Sequence, residues 1–267
     1  MGMPYRHLLL FALGLSLAAC SGSRYSHRHD GAPRDARDVS HIPDARPKAE
    51  PRSRYGNPRT YTVNGRTYRV MDSAAGYVER GIASWYGRKF HGHRTSSGET
   101  YDMYGMTAAH TRLPLPTYVQ VTNLQNGRTV VVKVNDRGPF HPNRLIDLSY
   151  AAAKKLGIVA TGTGLVEVRA IDPRNWHKPA NRTVNRSQVP VRYGLYLQVG
   201  AFSSRTNAEN LRRRLDDFGP VAIQRVAKRR QSLYRVRIGP LDSVEEADRL
   251  AERLITAGFD SPHVVVD

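Results

Sequence analysis

The stretch VVVKVNDRGPFHPNRLIDLSYAAAKKLG, residues 130–157, decides how the chain is read. Thr129 to Val134 is an apolar β-run, and it ends in Asn135-Asp136-Arg137-Gly138-Pro139, where the Gly-Pro pair turns the chain away. Asp147-Leu-Ser149 starts a short helix, Tyr150 to Leu156 fills it and Gly157 stops it. Just upstream, Tyr118–Thr122 is a second strand, separated from the first by an Asn126-Gly127 turn. Gly81–Tyr86 and Leu165–Ile171 are further strand candidates. Tyr61–Val70 holds two short β-rich runs around Asn64-Gly65, a strong two-residue hairpin signal. Many short strands with tight turns predict a small β-barrel over residues 61–172.

Downstream, 173–192 is polar and basic with Pro179 and Pro190, and reads as a linker. The pattern then changes. LQVGAFSSRTNAENLRRRL (197–215) and VRIGPLDSVEEADRLAERL (236–254) share strand, Gly, turn, Ala and Leu positions. A repeated βαβ unit over 193–267 predicts a small α+β sandwich with both helices on one face of a sheet. Period two places Leu195, Leu197 and Val199 under the helices, and Tyr196, Gln198 and Gly200 on the open face. Arg235 and Arg237 share that open face, opposite Val236 and Ile238. The face is either an ordinary solvated sheet surface or a cationic, hydrogen-bonding one that accepts carboxylates.

The N-terminus sets the compartment. Arg6 and His7 form a short basic region and Leu8–Leu17 an apolar one, too short to span a bilayer. Leu17-Ala18-Ala19-Cys20 then puts small residues before the only cysteine. A free cysteine in a short core helix is the alternative, but an export signal over residues 1–20 accounts for all three features together. One cysteine permits no internal disulfide. Ser21 to Thr60 is rich in Arg, His, Pro, Ser and Asp, which predicts a disordered basic tether over 21–60. The net charge of +18 points to nucleic acid, anionic headgroups or acidic polysaccharide as partners. Export removes nucleic acid, and no nucleic-acid motif is present.

Residues able to do chemistry cluster between 80 and 150. Asp136 stands at a strand end. A carboxyl beside apolar barrel walls has its pKa raised by desolvation, as a general acid needs; alternatively Asp136 only organises its turn. Glu99 is a loop carboxylate, solvated or functional, and His110 a satisfied, half-buried histidine or a site residue. Trp85 and Tyr86 either stack on sugar rings or fill the barrel core. His91 and His93 flank Gly92, but no carboxylate or thiolate set of recognised metal-ligand spacing accompanies them, so no metal is assigned.

GIASWYGRKFHGHRTSSGETYDM (81–103), TAAHTRLPLPTYVQVTNLQNG (107–127) and the opening stretch together resemble the double-psi β-barrel domain of the rare lipoprotein A family, endolytic lytic transglycosylases of the cell wall. The C-terminal repeat resembles the SPOR domain, which binds peptidoglycan glycan stripped of stem peptides. The resemblance implies that Asp136, Glu99 and His110 form the catalytic site, with His110 hydrogen-bonded to Asp136, and that no cofactor is needed. Trp85, Tyr86 and Arg137 in the barrel, and Gln198, Arg235 and Arg237 in the repeat, are the candidate glycan-binding residues. The resemblance implies cleavage between N-acetylmuramic acid and N-acetylglucosamine to leave 1,6-anhydro ends. A non-catalytic, expansin-like wall protein and a water-consuming muramidase are the competing readings. The first twenty residues resemble a lipobox, which implies lipidation of Cys20. With Ser21 following it, sorting to the periplasmic face of the outer membrane is implied, with septal enrichment and division partners.

Overall fold

The computed structural model describes residues 30–35, 37–176, 193–228, 231–260 and 262–267. Cys20, the start of the basic segment and most of the 173–192 linker lie outside the described residues. The first elements are β1 (Thr60–Val63) and β2 (Arg66–Arg69), which pair only with each other. Asn64 and Gly65 turn between them with φ of 50° and 74°, the two positive values that a tight hairpin of this hand requires.

Six strands then close a barrel: β3 (Val78–Tyr86), β4 (Thr107–Ala109), β5 (Thr117–Asn123), β6 (Thr129–Asp136), β7 (Arg144–Ser149) and β8 (Gly164–Ala170). Their order is β3-β7-β4-β6-β5-β8. The β3–β7 and β4–β6 pairs are parallel and the other four antiparallel. The chain thus forms the double-psi β-barrel, filled by Val119, Val121, Val132, Val134, Ile146, Leu148, Val166 and Val168, all fully buried. One helix, α1 (Tyr150–Leu156), packs on it. Ser149 caps α1 by accepting from Ala152 N, and Gly157 ends it at φ 82°. Asp147 does not begin this helix: it stays in β7, held there by pairing with Ala109.

The structure departs from the expected tether. Residues 37–59 run along the barrel as a strap. β4 is only three residues long, so part of the β6 edge is left open, and the strap covers it. Val131 N donates to Asp44 Oδ2, and Ala45 N donates to Val131 O. Val39 is buried, Ile42 and Ala45 pack against the core, and Lys155 Nζ bonds Asp44 Oδ1 at 2.6 Å. A segment with few apolar residues is ordered here because an existing strand edge and a few anchors hold its backbone.

The second domain has β9 (Leu195–Phe202), α2 (Arg205–Arg214), β10 (Val221–Lys228), β11 (Gln231–Leu241), α3 (Val244–Thr256) and β12 (His263–Val266). The sheet runs β10-β11-β9-β12, all antiparallel. Ala208, Leu211, Leu250, Ala251 and Leu254 press both helices onto Leu197, Val236 and Ile238, on one face as the repeat implies. Ser243 caps α3 by accepting from Glu246 N at 3.1 Å. Gly200 is not on the open face: a register shift in the β9–β11 pairing turns it inward, and a Cβ there would lie 2.7 Å from Leu211 Cδ2. The two domains meet along an apolar seam of Ile82, Leu165, Leu195, Val244, Ala247 and Val266, with Arg144 bonded to Asp248 at 2.6 Å.

Candidate active site

The barrel brings two carboxyl groups to neighbouring strand ends. Ala109 on β4 pairs with Asp136 of β6 on one side and Asp147 of β7 on the other. Asp136 is half-buried. Its Oδ1 accepts from Ser96 N (2.7 Å), Ser96 Oγ (2.6 Å) and its neighbour's Arg137 N (2.7 Å). No hydrogen bond among the described residues reaches Oδ2. One oxygen is therefore locked by three donors.

The loop that locks Asp136 also carries Glu99. Thr95 N donates to Glu99 O at 2.8 Å and Ser97 N to Asn135 O at 3.2 Å, so residues 95–99 close a turn over the end of β6. Glu99 Oε1 pairs with Lys133 Nζ at 2.7 Å, and Oε2 accepts from Asn135 Nδ2 at 2.8 Å. Lys133, Asn135 and Asp136 all belong to β6, so one strand end organises both carboxylates.

His110 is placed differently from the expectation. It is fully buried, and its ring does not bond Asp136. Nδ1 accepts from Arg112 N (3.1 Å) and Leu113 N (3.0 Å), which puts the proton on Nε2, where it donates to Tyr77 Oη at 2.9 Å. Burial, with Arg112 and Arg137 nearby, lowers its pKa to about 3, so the ring is neutral. Its link to Asp136 runs through the backbone, His110 N donating to Asp136 O at 3.1 Å.

Two glycan-binding expectations in the barrel also change. Tyr86 is core: it is 7% exposed and its ring stacks on Tyr101 at 4.1 Å. Arg137 spends its donors inside the protein, Nε on Gly56 O (2.7 Å), Nη1 on His110 O and Leu113 O (2.9 and 2.6 Å), and Nη2 on Asn57 Oδ1 (3.2 Å). Burial lowers its pKa to about 10. Trp85 stays half-buried, edge-on to Tyr150. His91 Nδ1 accepts from Met103 N at 3.2 Å within its own loop.

The sequence reading gave Asp147 only a helix start, whereas the structure sets it across Ala109 from Asp136. Burial pushes its pKa up to about 6, against the opposing hydrogen bond from Ser84 Oγ. Tyr86 Oη is buried without a hydrogen-bond partner among the described residues, and its pKa is raised by burial first, with Tyr101, Asp136 and Asp147 adding to the rise. Gln198, Arg235 and Arg237 do lie on the side of the SPOR sheet away from the helices. Gln198 and Arg237 are nonetheless buried, at 8% and 4% exposure, and they pair across β9 and β11. Arg237 Nη1 bonds Asp267, while its Nε and Nη2 have no partner among the described residues. Arg235 is half-buried.

The family model described as "Lytic transglycolase" matches residues 78–170, and that of the SPOR domain matches 192–265. A Pseudomonas aeruginosa protein named endolytic peptidoglycan transglycosylase RlpA is 44% identical over 90% of this chain and 86% of its own. The Vibrio cholerae protein of that name is 42% identical over 99% and 97%. The crystal structure of the Pseudomonas aeruginosa RlpA SPOR domain is 40% identical, covers 27% of this chain and 97% of its own, and has a TM-score of 0.26. The chain belongs to the RlpA family of endolytic peptidoglycan transglycosylases.

Proposed function

We propose that this chain is an endolytic peptidoglycan transglycosylase in which Asp136 is both acid and base. The observation that carries the assignment is the asymmetric carboxylate: three donors fix Oδ1, and Oδ2 is left to carry the travelling proton. Protonated Asp136 gives its proton to the oxygen between N-acetylmuramic acid and N-acetylglucosamine. The C1–O bond breaks, and an oxocarbenium-like centre develops. The ionised Asp136 then takes the proton of the muramic C6 hydroxyl, whose oxygen closes on C1. A 1,6-anhydro end and a free N-acetylglucosamine hydroxyl result, Asp136 is again protonated, and no water is consumed. Glu99, held by Lys133 and Asn135, orients substrate at the same strand end. His110 is a positioning residue, supporting the Asp136 backbone from inside the barrel.

The repeat domain holds the glycan. A muramic residue without a stem peptide exposes a lactyl carboxylate, and Arg235, half-buried on the open sheet face, pairs with it, with the charge of the buried Arg237 beneath. A lipid on Cys20 ties the enzyme to the periplasmic face of the outer membrane, and the SPOR domain concentrates it at septal wall lacking stem peptides. A fluorescent fusion lacking residues 190–267 is expected to lose septal enrichment and keep its membrane attachment; unchanged localisation contradicts this.

Weighing the products of stem-free glycan digested with the purified full chain tests the reaction. Anhydro ends, lighter by one water than reducing ends, are expected. Reducing ends indicate a muramidase, and no release indicates a wall-binding protein.

A further inference from the structure

The strap passes behind both candidate carboxylates. Glu50 Oε2 bonds Lys133 Nζ at 3.0 Å, on the ammonium that also holds Glu99. Its other oxygen accepts from Tyr118 Oη at 2.5 Å, so Glu50 is fixed from two sides. Lys133 is raised in pKa by hydrogen bonds and charge from Glu99 and Glu50 against its own burial, and so stays charged. Six residues on, the chain supports Asp136. Gly56 O and Asn57 Oδ1 accept from Arg137, the residue that donates its own N–H to Asp136. Ser53 Oγ donates to Ser97 O at 2.9 Å, in the loop whose Ser96 fixes Asp136. Asn57 also clamps Leu115, donating from Nδ2 to Leu115 O (2.8 Å) and accepting Leu115 N on Oδ1 (2.8 Å). Gly56 sits at φ 76°, and a Cβ there would come 2.7 Å from Ser96 O. The strap and the Ser96 loop are in direct contact.

We propose that strap residues Glu50, Gly56 and Asn57 are positioning residues of the reaction, Glu50 acting through Lys133 on Glu99, and Gly56 and Asn57 through Arg137 and the Ser96 loop on Asp136. They lie outside the 78–170 segment matched as the lytic domain, so that segment alone is an incomplete enzyme. The proposal rests on the Asp136 and Glu99 reading above. A carboxylate misplaced by a fraction of an ångström is costly in rate although little binding is lost.

The test is steady-state release of anhydro ends from stem-free glycan by the full chain in detergent, with thermal unfolding run in parallel. Glu50→Gln is expected to lower kcat about tenfold with KM unchanged and the unfolding temperature little changed, the group lying on the barrel surface. Lys133→Met gives the same kcat loss and Lys133→Arg restores most of it, because the cation rather than the stem does the positioning. Asn57→Ala lowers kcat in the same way. Wild-type kcat in Glu50→Gln and Asn57→Ala overturns the proposal. So does a loss that appears in unfolding temperature alone, or one confined to KM. Asp136→Asn reports separately on the underlying reading: if that variant keeps its rate, the acid–base assignment is wrong, whereas a dead Asp136→Asn beside fully active strap variants removes the strap proposal alone.

Discussion

The barrel and the repeat treat their charged groups in opposite ways. At the barrel mouth almost every donor is consumed: Arg137 makes four bonds to the protein, Asp136 Oδ1 receives three, and His110 uses both ring nitrogens. One carboxylate oxygen remains. In the repeat, Arg237 is more deeply buried than Arg137, bonds Asp267 through Nη1, and keeps Nε and Nη2 without partners among the described residues. A reacting atom has to be held in place before substrate arrives, and neighbours that use up all other capacity hold it. A binding cation does its work on a ligand that reaches it, and the half-buried Arg235, with the incompletely bonded Arg237 beneath it, leaves that face of the sheet positively charged. Preorganised chemistry in one domain and unfinished hydrogen bonding in the other make one protein that cuts where it holds.

Four substitutions probe this division. The largest effect is expected from Asp136→Asn. It keeps the hydrogen-bond shape but loses the proton, and kcat for anhydro-end release falls by about 10²–10⁴ while binding to purified wall is unchanged. His110→Ala comes next. It strips partners from two backbone N–H groups and Tyr77 and opens a buried space, for a loss of about 2–4 kcal/mol in denaturant unfolding. In wild type the depressed pKa of His110 also sets an acid limit. Between about 6.5 and 3 the unfolded chain binds more protons than the folded one, so His110's contribution is present above that window and is lost as pH falls through it.

Asp147 works in the opposite direction. Its folded pKa near 6 lies above the ordinary 3.8, so the folded state binds the extra proton between these values and stability falls as pH rises through them. Asp147→Asn keeps an acceptor for Ser84 and removes that cost. Its stability relative to wild type is expected to improve by about 2 kcal/mol between pH 4 and pH 7, read from unfolding curves at both; a constant difference contradicts the assignment. The smallest effect belongs to the repeat. Arg237→Ala is expected to weaken stem-free glycan binding about tenfold, in a sedimentation assay, and to leave kcat at saturating glycan unaltered.

Local chemistry made much of this architecture readable. Asn64-Gly65 turns where its dipeptide says, Ser149 and Gly157 bound α1 from either end, and Ser243 with Glu246 opens α3. The misreadings come from partners distant in sequence. Asp147 resembles a helix start next to Ser149, and only its pairing with Ala109 across the barrel keeps it in a strand beside Asp136. TAAH reveals nothing about Tyr77, 33 residues away, which takes the His110 proton intended for Asp136. The strap has few apolar residues, so composition marks it as free chain. Its order derives from the open edge of β6, a feature that does not exist until the barrel has closed. Period two assigned Gln198 and Arg237 to the correct face but could not foresee the shift that turns Gly200 inward.

The most direct test of the account is the rate of anhydro-end formation against stem-free glycan concentration for wild type, Asp136→Asn and Arg237→Ala, measured side by side. The account predicts that Asp136→Asn lowers the plateau without moving half-saturation, and that Arg237→Ala raises half-saturation without lowering the plateau. An Asp136→Asn chain that reaches the wild-type plateau would contradict it.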